Sequence, residues 1–144
     1  MVKRRLFYLG CILRSGRKII GVITVILQEM AKIGSIDTQI GKTGNYEIWI
    51  YTNDPGNKPH FHIVNEQTGF SSCIEILSAN YFFHQGKEDV LNHKLKKSLI
   101  YFLNQKRKRG NTNWEFLCDS WEANNSTMEI PDEIYDNMPD YMQL

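Results

Sequence analysis

A chain of 144 residues with 42% hydrophobic and 23% charged side chains can bury one core and is too well mixed for global disorder. Its net charge of only +1 argues against binding nucleic acid by bulk charge, so such a contact would need a local basic patch. Three scattered cysteines, Cys11, Cys73 and Cys118, show no CxxC spacing, which argues against a disulfide framework or a thiolate zinc site and for a reducing cytoplasm.

Residues 1–29 form a basic and apolar block, with six Lys or Arg against Glu29, so the remaining chain carries a charge of −4. Its two apolar runs, 6–13 and 19–27, are split by "RSGRK". Neither approaches the roughly 20 apolar residues of a membrane span. No small-residue cleavage site follows the first run, so a signal peptide is a poor match. The block reads as an N-terminal extension or accessory segment, as an integrated strand built on "IIGVITVIL", or as a membrane-contacting segment. A membrane partner is not expected.

From Met30 the organisation is clearer. "GKTGN" at 41–45 is a turn cluster, and "YEIWIYT" at 46–52 alternates as a strand with Trp49 and Tyr51 on one face. "NDPGNKP" at 53–59 is the strongest loop signal, because Asn, Asp, Pro and Gly each favour a turn conformation. "HFHIV" at 60–64 and "SSCIEIL" at 71–77 follow as strands separated by a short turn, which predicts an antiparallel meander. The segment 84–110 then shows helical period, with Leu91, Leu95, Leu99, Phe102 and Leu103 on one face. Glu88 and Asp89 are expected in its first turn, and Lys106, Arg107, Lys108 and Arg109 at its end before Gly110, where the helix dipole favours each sign. Thr112 and Glu115 have capping-box spacing for a second helix with Trp114, Leu117 and Trp121 as its buried stripe. Beyond it, residues 125–144 read as an acidic, loosely ordered tail, which could fold back over the basic residues. The expected domain is residues 30–124, an α+β fold with a three- to four-stranded antiparallel sheet and two helices packed on one face. No internal repeat and no glycine-rich phosphate loop is present.

The chemistry-bearing residues cluster after the loop. His60 and His62 sit two apart on a strand, which places both rings on one side roughly 7 Å apart, while Phe61 and Ile63 point to the core. They can act as an acid/base pair, as metal ligands, or as structural side chains bonded to nearby backbone. Their position at a strand mouth favours the less apolar face. Two histidines are fewer than the three or four ligands of an ordinary metal site, so neither metal nor cofactor is expected, with His60 and His62 as weak metal candidates. A carboxylate from Glu47 or Glu75 would change that if it shared the histidine face. His84 precedes the helix, where its ring could approach the sheet, and His93 lies off the apolar stripe. "HFHIVNE" matches half of the metal-binding cupin motif, but the second half and the jelly-roll strands are absent. The alternating triad of histidine-triad proteins fails because position 64 is valine.

The combination "IWIYTNDPGNKPHFHIVN...SSCIEIL...LKKSLIYFLNQKRKRGNTNWEFLCDSWEANN" resembles the domain of unknown function 4160 family, over residues 44–124. The matching positions are Asp54, Pro59, His60, Phe61, His62 and Trp121. The chain departs from the family pattern in having one proline before His60, a longer "YFFHQGKED" junction, and additional segments at both ends. The resemblance implies a compact α+β domain of bacterial or phage origin, associated with toxin–antitoxin-like or mobile-element gene neighbourhoods, and no established reaction.

Two functional readings remain open at this point. One is a non-enzymatic binding module whose contacts are Asp54, Trp49, Tyr51 and the basic residues Lys106, Arg107, Lys108 and Arg109. A protein partner is expected, with weak nucleic-acid contact through the basic residues, extended by Lys94, Lys96 and Lys97. The other is a small hydrolase or nuclease in which His60 and His62 do acid/base or metal-assisted work, with Lys58 stabilising anionic charge.

Overall fold

The structure is a computed structural model that describes residues 37–52, 58–125 and 128–144. Those residues fall in one compact unit, Ser35–Leu144. The expectation for residues 1–29 lies outside the described residues, as do Asp54 and most of the "NDPGNKP" loop.

Four strands, β1 (Thr38–Thr43), β2 (Tyr46–Ile50), β3 (His60–Asn65) and β4 (Phe70–Glu75), form one antiparallel sheet in the order β1-β2-β3-β4. Helix α1 (His93–Asn104), helix α2 (Asn113–Asn124), a short α3 (Asp132–Asp136) and a 3-10 turn at Tyr141–Gln143 follow. This is the α+β arrangement expected, with four strands. The fourth strand is β1, part of which the sequence presents as a turn cluster. Gly41 and Thr43 still pair with Ile48 and Tyr46, and only Gly44 and Asn45 reverse the chain. Gly41 has a packing reason, since a Cβ there would lie 2.6 Å from the Phe102 ring of α1.

One face of the sheet carries Ile48, Ile50, Phe61, Ile63 and Ile74, which join Leu91, Leu95, Leu99, Leu103, Trp114 and Leu117 in a single core. Alternation along the strands dictates this, because residues two apart share a face. The apolar period of 91–103 supplies the matching helical stripe.

Helix α1 is shorter than expected, and its ends are built differently. Asn92 is the N-cap, its side chain accepting the Leu95 N–H at 2.9 Å. Glu88 and Asp89 lie before the helix, where they pair with the edge of β4. Glu88 bridges Ser72, and the Asp89 carboxylate accepts the Ser71 N–H at 2.7 Å. Three local features override the longer periodic pattern: a positive-φ turn at Gln85 and Gly86, the edge pairing, and the Asn92 cap. At the other end, α1 closes at Gln105, and the basic residues occupy a tight turn between the helices. That turn is held by a Lys106–Thr112 bridge and by the Gly110 N–H to Arg107 carbonyl bond. The basic residues therefore do not extend the helix. The capping box of α2 forms as expected, with Glu115 N–H to Thr112 hydroxyl at 3.1 Å and Thr112 N–H to Glu115 carboxylate at 2.9 Å.

The acidic tail is packed, which corrects the loosely ordered expectation. Ile130 and Tyr141 are fully buried, and Tyr141 meets Phe61 and Trp114 edge-on or tilted. The Tyr141 hydroxyl donates to the Glu75 and Ile76 carbonyls at 3.0 and 3.2 Å. The Trp114 indole N–H donates to the Ile134 carbonyl at 2.7 Å. Isolated apolar anchors in a polar stretch need no period to be buried, which is why periodicity does not reveal them. Burial pushes the Tyr141 phenol well above its ordinary range, so it stays a donor.

Candidate functional site

The other face of the sheet is built by register. In the β3–β4 pairing His60 lies opposite Glu75 and His62 opposite Cys73, and in β2–β3 Trp49 lies opposite His62. Directly opposed residues share a face, so His60, His62, Cys73, Glu75 and Trp49 converge on one side. His84 reaches the same place from the segment after β4. That segment runs back along the β4 edge through the Ile74–Tyr81 and Ser72–Glu88 bridges and the Phe82 N–H to Cys73 carbonyl bond of 2.9 Å. The turn at Gln85 and Gly86 interrupts that segment between its two bridges, and Glu88 and Asp89 rejoin the β4 edge after it.

The resulting cluster is tight. Ring centroids are 5.0 Å apart for His60 and His62, 4.9 Å for His60 and His84, and 5.6 Å for His62 and His84. Cys73 Sγ is 3.3 Å from His84 Nε2. His60, His62 and Cys73 have 0% exposure, and His84 is half-buried. Aromatic rings enclose the group. Tyr51 lies 4.4 Å from His62, while Phe82 and Trp121 lie 4.9 and 5.1 Å from His60. Trp121 arrives from the C-terminal part of α2, where Asn124 and Asn125 bond Thr38 and the Tyr51 carbonyl.

One imidazole has its tautomer set by its neighbour. His60 Nδ1 is 2.7 Å from the Lys58 carbonyl oxygen, which can only accept, so Nδ1 carries the proton. In its neutral form the ring then has its lone pair on Nε2. Among the described residues, the group of three or more ligand-type side chains able to hold a metal is His60, His62, Cys73 and His84, whose donor atoms all lie within 4.8 Å of one another. Cys118 differs: its buried thiol is pushed far above the ordinary range by burial and by Asp119, Glu122 and Glu115.

Glu75 shares the histidine face, but it is already engaged. Its carboxylate accepts from Lys58 Nζ at 2.6 Å and from the Ser78 hydroxyl. Burial alone would raise its carboxyl. The Lys58 and Ser78 hydrogen bonds, the Lys58 charge and His60 outweigh that and hold it below the usual range. Lys58 is thus a surface partner of Glu75, rather than a cation aimed at an open cleft. Glu47 is similarly taken up by Lys42 at 2.5 Å and the Trp49 indole at 3.0 Å.

The remaining expected contacts are placed as follows. Trp49 and Tyr51 are half-buried and stacked on each other at 6.3 Å, with Lys87 Nζ 4.6 Å from the Tyr51 ring centroid. They belong to the wall of the histidine cluster, not to a free aromatic surface. Lys106, Arg107, Lys108 and Arg109 line an open groove of about 1000 Å³ with Gln105, Asn111, Asn113, Phe116 and Asp119. None of the described residues beyond α2 lines it, so among them the expected folding-back of the acidic tail is not seen there. The Arg107 guanidinium lies 3.6 Å from the Phe116 ring centroid and so braces the turn. Lys96 donates to the Leu144 carbonyl and sits in the first turn of α1, at the end far from the groove. His93 is exposed.

Sequence reasoning missed Cys73 as a partner of the histidines and left His84 only as a ring that could approach. The signal for Cys73 was present: it stands in "SSCIE", and a hairpin of the right register sets it opposite His62. Comparisons with family models, curated proteins and solved structures return no match.

Proposed function

We propose that this protein is a small non-catalytic binding module that engages an anionic partner through the turn between α1 and α2. The observation that carries the reading is the groove of about 1000 Å³ lined by Lys106, Arg107, Lys108 and Arg109. Four cations on one turn, three of them exposed and the fourth braced on Phe116, suit phosphate oxygens or clustered carboxylates. The burial of His60 and His62 weighs against the hydrolase or nuclease reading, since acid/base groups must reach the atoms they protonate. The resemblance to the domain of unknown function 4160 family adds the setting, a toxin–antitoxin-like or mobile-element system. The reading rests on charge and accessibility, which select the class of partner and not its sequence.

The test is fluorescence anisotropy with labelled single-stranded and duplex oligonucleotides at low salt. Binding is expected to be weak, sequence-independent and salt-sensitive, with a slope of about one unit or less per phosphate contact. Replacing Lys106, Lys108 and Arg109 with Gln should abolish it while leaving the fold intact. Arg107 is left in place, because its stacking on Phe116 contributes to the turn. Unchanged binding in the triple variant would exclude the groove. No binding by the wild type at low salt would exclude nucleic acid and leave an acidic protein surface as the partner.

A further inference from the structure

The buried cluster is unrelated to the basic groove and has its own chemistry. The structure assigns His60, His62, Cys73 and His84 as a closed four-coordinate site for a zinc-type divalent ion.

Ligand chemistry is the first ground. Three imidazoles and one thiolate form a Cys-His set of the kind that borderline-soft zinc takes in closed tetrahedral sites. Oxygen-preferring magnesium and calcium are not served by it. Size is the second. Zinc–nitrogen and zinc–sulfur bonds of about 2.0–2.3 Å put tetrahedral ligand atoms roughly 3.3–3.7 Å apart. The Cys73–His84 separation of 3.3 Å already matches, and the whole set lies within 4.8 Å, so small side-chain rotations would gather it. The third ground is independent of the ligand count. His60 donates its Nδ1 proton to the Lys58 carbonyl, which places the lone pair of the neutral ring on Nε2. A ligating histidine ordinarily has its other nitrogen held this way, by a carbonyl or carboxylate that fixes the ring and raises its basicity.

The placement implies what the ion does. His60 and His62 come from β3, Cys73 from β4, and His84 from the irregular segment laid along the β4 edge. Coordination would therefore tie that segment to the sheet and cover an edge strand that otherwise offers pairing groups to other chains. Complete burial of three ligands leaves no open position for substrate, which makes the site structural rather than catalytic. Half-buried His84 is the side from which an ion can enter.

The experiment uses the full chain, stripped of metal with a chelator under reducing conditions and titrated with zinc or cobalt. One ion per chain is expected. Cobalt should give the strong visible bands of a tetrahedral centre and a thiolate-to-cobalt charge-transfer band, both removed by one equivalent of zinc. Zinc at a hundredfold excess over its Kd should raise the Tm by roughly 10 °C. Cys73→Ser should lose the charge-transfer band, and His84→Gln, in the half-buried segment, should lose the tetrahedral bands. His93→Gln and Cys11→Ser should change neither. A folded wild type that shows no cobalt bands and no zinc-dependent Tm overturns the assignment, leaving a hydrogen-bonded cluster only. Cobalt bands that survive both Cys73→Ser and His84→Gln also overturn it, because the ion is then elsewhere. Should either variant fail to fold, the wild-type stoichiometry and charge-transfer band still decide.

Discussion

The two faces of this four-stranded sheet are closed differently: aliphatic side chains and helices bury one, while on the other imidazoles, a thiol and aromatic rings bury only the patch around His60, His62 and Cys73, and Gln39 and Lys42 stay exposed. On the helix-covered face, Ile48, Ile50, Phe61, Ile63 and Ile74 meet the leucine stripe of α1, and none of these side chains carries a polar group. Non-directional burial stabilises that face, and moderate changes of shape are tolerated. On the histidine face the imidazoles and the thiol have directional requirements. His60 must donate to the Lys58 carbonyl, and Cys73 must meet His84. A face of this kind tolerates little positional error, because a buried polar group left without its partner costs about 1–3 kcal/mol. Strand alternation makes such a division of labour possible within a single hairpin, where Phe61 and Ile63 serve one face and His60 and His62 the other.

The sharpest separation of the two faces comes from the apolar side. Replacing Tyr141 with Ala removes a fully buried ring that joins the tail to Phe61 and Trp114. The loss should be about 3–5 kcal/mol, read from denaturant unfolding, and equal with zinc or with chelator. A loss below about 1 kcal/mol would mean that the tail is only draped on the core. A loss that depends on metal would mean that the two faces are not independent.

An intermediate effect is expected on the polar side. His60→Leu keeps approximate bulk but leaves the Lys58 carbonyl without its imidazole donor. Destabilisation of about 1–3 kcal/mol should follow in chelator, and the difference should widen with zinc present. A variant as stable as the wild type under both conditions would reduce the histidines to space-filling rings and erase the contrast between the faces.

The smallest effect tests the rim of the cluster. Burial alone would raise the Glu75 carboxyl, but Lys58 and Ser78 hold it below the ordinary carboxyl range. A depressed carboxyl contributes stability above its unfolded pKa, and that contribution is lost as pH falls through the lower folded value. Lys58 is 58% exposed, so Glu75→Gln should cost only about 0.2–1 kcal/mol at pH 7. The difference from wild type should shrink progressively below about pH 4.5. A difference that stays constant down to pH 2 would mean that hydrogen-bond geometry rather than charge is responsible.

What local pattern can determine in this chain, it determined. The strand alternation of 46–50 and 60–64, the leucine period of 91–103 and the Thr112–Glu115 capping box each act over a few residues, and each appears in the structure. The two-apart histidines likewise announced a shared side of one strand. Tertiary structure decided the rest, wherever the relevant partner is distant in sequence or irregular in spacing. Register set Cys73 opposite His62 and Glu75 opposite His60, and a one-residue slip would have sent Cys73 to the other face. Edge pairing of Glu88 with Ser72 claimed residues that the helix pattern would have absorbed. The Tyr141 ring was buried by a pocket made of β3, β4 and α2, which nothing in its own neighbourhood encodes. Pattern specifies which face a residue can occupy, because backbone geometry repeats locally. Only packing specifies which side chains meet there, because that depends on how distant segments close around one another.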